Sequence, residues 1–166
     1  VQNRVGTRTH QRSIGSKSTL KDLEKWVNTL IETNDWGVGM THGLTYGYDA
    51  FRNPQRLWDH LDQVKARENE IWVGTFREVV SYIKEREETK LEVVNKKNTL
   101  LITPELKLDQ ELFVEPLTMV ITGKEIKKVT VKQGKRRLPV QITDDKVLFD
   151  FDPYGGMIKV TLKIQK

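Results

Sequence analysis

The chemistry this chain could carry begins at His42, which follows the run Trp36-Gly37-Val38-Gly39-Met40-Thr41. Bulky residues alternate there with glycine, a pattern that predicts a strand with one crowded face and one face open to a neighbouring backbone or ligand. A histidine at the carboxyl end of such a strand sits where parallel α/β sheets and barrels place catalytic and binding groups. Its imidazole can move a proton near neutral pH, and Met40, on the same face if the pleat continues, could hold a small alkyl group. A histidine that merely caps or packs at a strand end fits the same spacing. The following segment, Gly43 to Asn53, sets Tyr46, Tyr48 and Phe51 among small and polar residues. Aromatic faces beside hydrogen-bonding groups suit sugar rings, and they equally suit a loop folded on itself. Asp49 is a lone carboxylate and reads as a turn or cap residue.

Other candidates are weaker. Arg4, Arg8 and Arg12 recur at four-residue intervals with His10 among them, but Gly6, Thr7, Thr9 and Gly15 favour a polar loop over a helical basic stripe. One of these arginines could reach a site carboxylate. His60, between Asp59 and Leu61, reads as a helix-surface or interface histidine. There is no Cys, no HExxH and no pair of His at ligand spacing, so the chain alone offers no metal site. Gly37-Val38-Gly39 lacks the third glycine of a dinucleotide fingerprint. Lys124, Lys127, Lys128, Lys132, Lys135, Arg136 and Arg137, interrupted by Ile126, Val129 and Val131, read as a solvated sheet face with a charged hairpin tip, the alternative being a surface for an anionic polymer.

The elements that must position these residues fall into two rhythms. Ser18 or Thr19 caps a helix with Leu20, Leu23, Val27, Leu30 and Ile31 on its apolar stripe, ending near Asn34. After the strand and loop, Asn53 and Pro54 open a second helix whose buried stripe is Leu57, Leu61 and Val64. Ile71 to Gly74 reads as a short strand. Thr75-Phe76-Arg77-Glu78 is a capping box opening a third helix, with Phe76, Val79, Val80 and Ile83 turned inward. Seven short alternating runs follow: 91–94, 99–103, 117–122, 127–131, 140–143, 147–151 and 157–164, separated by turn residues. The expected fold is α/β plus all-β. Residues 1–90 would form an α/β unit of parallel strands with helical crossovers, and residues 91–166 a small antiparallel β-sandwich, with the charged run Lys84 to Lys90 between them.

Composition supports this division. All four Trp and all three His precede residue 90, and Lys plus Arg outnumber Asp plus Glu by 14 to 10 after it against 14 to 13 before it. The 166 residues, 37% hydrophobic and 31% charged, exclude a disordered, collagen-like or disulfide-stapled chain. No apolar run approaches the roughly 18–20 residues that a membrane span needs. The chain begins with Val and shows no leader, as expected of a processed, truncated or internally numbered sequence. A closed parallel barrel takes about 250 residues, and parallel sheets need cover on both faces. The remainder of the sheet is therefore expected upstream of Val1 or on another chain.

Trp36 to Gly43, Trp58 to Val64 and Ile71 to Ile83, in that order, resemble the C-terminal half of a NodB-type polysaccharide deacetylase, a carbohydrate esterase family four-like enzyme. The resemblance covers about residues 1–90 and implies that they are a partial (β/α) barrel, the C-terminal half of a deacetylase-like barrel. The family's last catalytic motif, Leu-x-His, would be Met40-Thr41-His42, with Met replacing Leu. This implies that His42 is the general acid that protonates the leaving group and that Met40 lines the pocket for the acetyl methyl. Trp36, Tyr46, Tyr48 and Arg4 would then contact substrate, with Arg4 or Arg8 as the site arginine. The family's Thr-Phe-Asp-Asp and His-x-x-x-His motifs, which supply the base and the metal ligands, do not occur here. A divalent metal, often zinc, is implied for a complete enzyme and none for this chain alone. The implied partners are a polysaccharide or acetylated oligosaccharide and the missing N-terminal half of the barrel, with no nucleic acid and no membrane span. The implied location is secreted, periplasmic or cell-envelope. A non-catalytic carbohydrate-binding or envelope protein on the same scaffold is the alternative.

Overall fold

The structure, a computed structural model, describes residues 9–123, 126–143 and 145–164. It divides into two compact units, Asn3–Val73 and Gly74–Lys166.

In the first unit, β1 (Thr9–Ser13) runs parallel to β2 (Trp36–Met40), in register from Thr9 opposite Trp36 to Ser13 opposite Met40. The crossover between them is α1 (Leu20–Thr33). Thr19 caps it in a reciprocal box with Asp22, and Asn34 ends it in the left-handed conformation, so both ends satisfy backbone groups that a helix leaves open. Gly37 is glycine because α1 lies directly on it. A Cβ there would come 2.2 Å from Leu30 Cδ1 and 3.0 Å from Trp26 Cζ2. The open face expected of this strand is thus filled by α1. The core is small: Ile14, Leu23 and Phe51, with Leu57 packed against them.

Three expectations change in this unit. Residues 9–13, expected as polar loop, form β1, because pairing with β2 supplies the backbone hydrogen bonds that their polar side chains do not signal. Ile71 to Gly74 is not a strand, since no described strand lies alongside to pair with it. Helix α2 (Gln55–Lys65) starts one residue later than expected, with Pro54 at its N-cap and no side-chain cap bond there, although the Asn53 side chain accepts from the Gln55 N–H at 3.0 Å. Its buried residue, however, is His60, while Leu61 is exposed.

The second unit opens with α3 (Phe76–Glu88), where Thr75 and Glu78 form the expected capping box. The helix contacts β5 (Leu117–Thr122) through a buried face of Val79, Tyr82 and Glu85. Phe76 and Val80, expected inside, are exposed, because the 3.6-residue period of this helix offers two apolar faces and the sheet covers only the other one. The strands that follow are β3 (Lys90–Lys96), β4 (Thr99–Glu105), β5, β6 (Ile126–Gln133), β7 (Arg136–Leu138), β8 (Gln141–Ile142), β9 (Lys146–Phe151) and β10 (Ile158–Ile164). They make two antiparallel sheets, ordered β3-β4-β10-β6-β7 and β5-β9-β8. Ile102, Val131, Leu138, Ile158 and Val160 from the first are buried, as are Leu117, Met119, Val147, Phe149 and Phe151 from the second. Alternation puts their polar neighbours outside. Gln133 is buried among them and ties down the turn between β9 and β10, donating to the carbonyls of Asp152 (2.7 Å) and Gly156 (3.2 Å) and accepting from the Asp152 N–H (3.1 Å). The edge strand β3 is exposed along its whole length, although Leu91 and Val93 pair with the buried Pro104 and Ile102. Among the described residues, no helix is long and apolar enough to cross a membrane.

Candidate functional site

Both parallel strands of the first unit end on the same side, and the loops that leave those ends are joined. The β1 ladder extends one residue further, the Ile14 N–H donating to the Met40 carbonyl at 2.8 Å. Beyond it the chain turns through Gly15-Ser16-Lys17-Ser18, with the Gly15 N–H donating to Ser18 Oγ at 3.1 Å. From β2 the chain turns at Thr41, whose hydroxyl donates to the Gly43 carbonyl at 3.1 Å. The Phe51 N–H then closes the loop onto the same carbonyl at 3.3 Å. Ala50 and Phe51 are fully buried and anchor this loop, so its tip, residues 44–48, is left in solvent.

Asp49 joins the two loops. Its carboxylate accepts from the Ser16 N–H (3.1 Å) and the Ser16 hydroxyl (2.6 Å), and its carbonyl accepts from the same N–H at 3.3 Å. The Ser16 hydroxyl bond chiefly holds the Asp49 carboxyl below the usual carboxylate range, helped by the Ser16 N–H and by the nearby Lys17 and His42. Arg56 of α2 braces the junction from beneath, one guanidinium nitrogen donating to the carbonyls of Ser16 and Ser18 at 3.0 Å each. Asp49 is therefore a turn residue, with φ 47°, that also acts as a tie across 33 positions of sequence. Neither Ser16 nor Arg56 stands out in the sequence as a site residue. The one signal is the Gly- and Ser-rich segment 13–18 directly after β1, the composition of a tight loop at a strand end.

On this frame His42 is exposed, and its ring meets Tyr48 edge to face, centroids 5.4 Å apart at 78°. Met40, 41% exposed, ends the strand just before it. Tyr46 and Tyr48 are 85% and 82% exposed, so their ring faces are not spent on packing the loop. Trp36 does not join this group: it opens β2, about 13 Å from Met40 at the rise of an extended strand. Arg4 and Arg8 lie outside the described residues. Arg12 is committed to the fold, donating to the Asp22 carbonyl at 3.2 Å.

The other histidines are elsewhere. His10 of β1 lies 2.8 Å from Asp35, near the amino ends of the strands. His60, expected on a helix surface or satisfied at an interface, is buried with its Nδ1 unpartnered, and burial lowers its pKa. No group of three or more His, Asp or Glu among the described residues could hold a metal ion, so these residues do not fit the divalent metal that the sequence resemblance implies. No step through a metal is assigned to them. What the cluster offers is an accessible imidazole, an adjoining thioether and two exposed phenol rings, on loops locked together by Asp49, Ser16 and Arg56.

No protein-family model matches the chain, and no curated protein matches it significantly.

Proposed function

We propose that the chain is part of a metal-dependent polysaccharide deacetylase, in which His42 is the general acid and Met40, Tyr46 and Tyr48 form part of the substrate wall. The observation that supports this reading is the exposed His42 at the carboxyl end of a parallel strand, with Met40 just before it and Tyr48 against its ring. In hydrolysis of an acetyl group, the departing nitrogen or oxygen needs a proton. An imidazolium at a solvent-open strand end can deliver it and be reprotonated from water. The thioether of Met40 gives the acetyl methyl an apolar contact. The hydrolytic water would be activated by a metal and an Asp base contributed by residues other than those described.

The test is acetate release from an acetylated oligosaccharide by the protein carrying this chain together with an Asp base and metal ligands. His42→Ala should lower kcat by about 10²–10⁴-fold, the usual contribution of a positioned acid, with less effect on KM. Unchanged turnover would remove His42 from the reaction. The exposed tyrosines favour a second reading, carbohydrate binding without catalysis. In that case Tyr46→Ala and Tyr48→Ala would weaken oligosaccharide binding while no acetate is released by any form.

A further inference from the structure

We propose that the outer face of the five-stranded sheet binds an acidic polysaccharide through a row of cations that the strand register sets side by side. Lys132 of β6 pairs with Arg137 of β7 on one side and with Lys159 of β10 on the other. All three are exposed, while their neighbours Val131, Leu138, Ile158 and Val160 point into the core. Adjacent strands lie about 4.8 Å apart, so three positive charges follow one another across the sheet at that spacing. Lys128 adds a fourth charge on the same face of β6, and Lys135 and Arg136 extend the charge to the hairpin tip. Like charges set directly opposite one another weaken a sheet. Nothing relieves them here, since none of Lys128, Lys132, Arg137 and Lys159 makes an ion pair among the described residues. On the outward positions of β6, β7 and β10 there is no carboxylate; the two that the register places on that face, Glu105 of β4 and Glu92 of β3, lie opposite Lys90 and Thr103, and Glu105 is already paired with Lys107. A polyanion would supply the missing counter-charge.

Two further features select the class of polymer. Two residues along from the cations, Thr130, Thr161 and Thr99 pair in turn across β6, β10 and β4. The face therefore alternates a row of charges with a row of hydroxyls, suited to a chain that bears both carboxylates and hydroxyls. Neither row holds an aromatic residue, so the face has no platform for stacking bases or neutral sugar rings. The choice of a sugar polymer rests on the carbohydrate reading above, whereas the need for an anion rests on the register alone.

The experiment measures binding of the full chain to polygalacturonate, to neutral dextran and to mixed-sequence duplex DNA, at 50 and 200 mM NaCl. Polygalacturonate should bind and weaken about tenfold or more between the two salts. Dextran should not bind, and duplex DNA should bind more weakly than polygalacturonate. The double variant Lys132→Gln/Lys159→Gln should lose at least about fivefold in polygalacturonate affinity, with a melting temperature equal to or above that of the parent, because repulsion has been removed. Lys132→Arg/Lys159→Arg should retain binding. Parent-like affinity in the Gln variant, equal binding of dextran, or tighter binding of DNA would each overturn the proposal. His42→Ala should leave this binding intact, so failure of the deacetylase reading and failure of this one give different results.

Discussion

Gly15→Ala tests the idea that the loops leaving β1 and β2 form one locked assembly. A Cβ at residue 15 would lie 2.0 Å from the Asp49 carbonyl oxygen and 2.9 Å from its Cγ. Ordinary contact distances require the two loops to part by roughly 1.5 Å. The obstacle is backbone, held in place by the buried Ala50 and Phe51, so rotation of a side chain cannot absorb it. Overpacking of this kind costs about 1–3 kcal/mol, and the movement also disrupts the Ser16 bonds to Asp49, which places the variant toward the upper end. For a unit of this size that lowers the melting temperature by roughly 10–20 °C. All four tryptophans, Trp26, Trp36, Trp58 and Trp72, lie within Asn3–Val73, so tryptophan fluorescence during urea titration reports on this unit alone. Gly39→Ala is the control. Its Cβ would meet the tip of the Ile14 side chain at 3.3 Å, a contact that rotation relieves, and about 1 kcal/mol or less is expected. If Gly15→Ala unfolds at the same urea concentration as Gly39→Ala, the loops are not locked together and the frame assigned to His42 is wrong.

Other outcomes follow from the second unit. Glu85 is fully buried, with one oxygen accepting from the Glu115 N–H at 3.0 Å and the other unpartnered; burial first, then the charges of Glu115 and Asp152, raise its pKa. The folded protein thus holds this proton more tightly than the unfolded chain. The resulting stability is fully present below the ordinary glutamate range and is lost as pH rises through the raised value. Denaturation at stepped pH should show this loss in the parent and a flatter profile in Glu85→Gln; parallel profiles would count against it. Gln133→Ala leaves the Asp152 N–H and the Gly156 carbonyl without this partner, while the Asp152 carbonyl keeps the Gly155 N–H, and should cost about 1–3 kcal/mol, measurable as a lower urea midpoint followed by circular dichroism. An unchanged midpoint would mean that the turn between β9 and β10 holds itself.

What could be read from the sequence was whatever is encoded locally. The Thr75 capping box, a cap at Ser18 or Thr19, a helix end near Asn34 and the turns at Asn98, Gly134 and 153–156 each act within a few positions, and the structure places them where the pattern predicts. The failures are tertiary. Thr9-His10-Gln11-Arg12-Ser13 has no apolar residue and becomes a strand only because β2 lies beside it, whereas Ile71 to Gly74 has the pattern of a strand and no described partner. In α3, Phe76 and Val80 compete with Val79 and Tyr82 for the same core, and periodicity cannot choose between two faces of one helix. His42 was legible because its place at a strand end is a local fact. The tie from Asp49 to Ser16 was not, because it joins residues that nothing in their own neighbourhoods brings together.

The exposure of β3 bears on self-association. A long edge strand with no further strand beside it among the described residues, and with Leu91, Val93 and Val94 exposed to solvent, is a template on which a second copy can add a strand and begin a fibre. In an antiparallel pairing of two copies centred on Val93, Lys90 of each falls opposite Lys96 of the other, so like charges meet at both ends of the seam. The flanking lysines act as gatekeepers. Replacing both with neutral residues would leave the fold in place while removing the main obstacle to its aggregation.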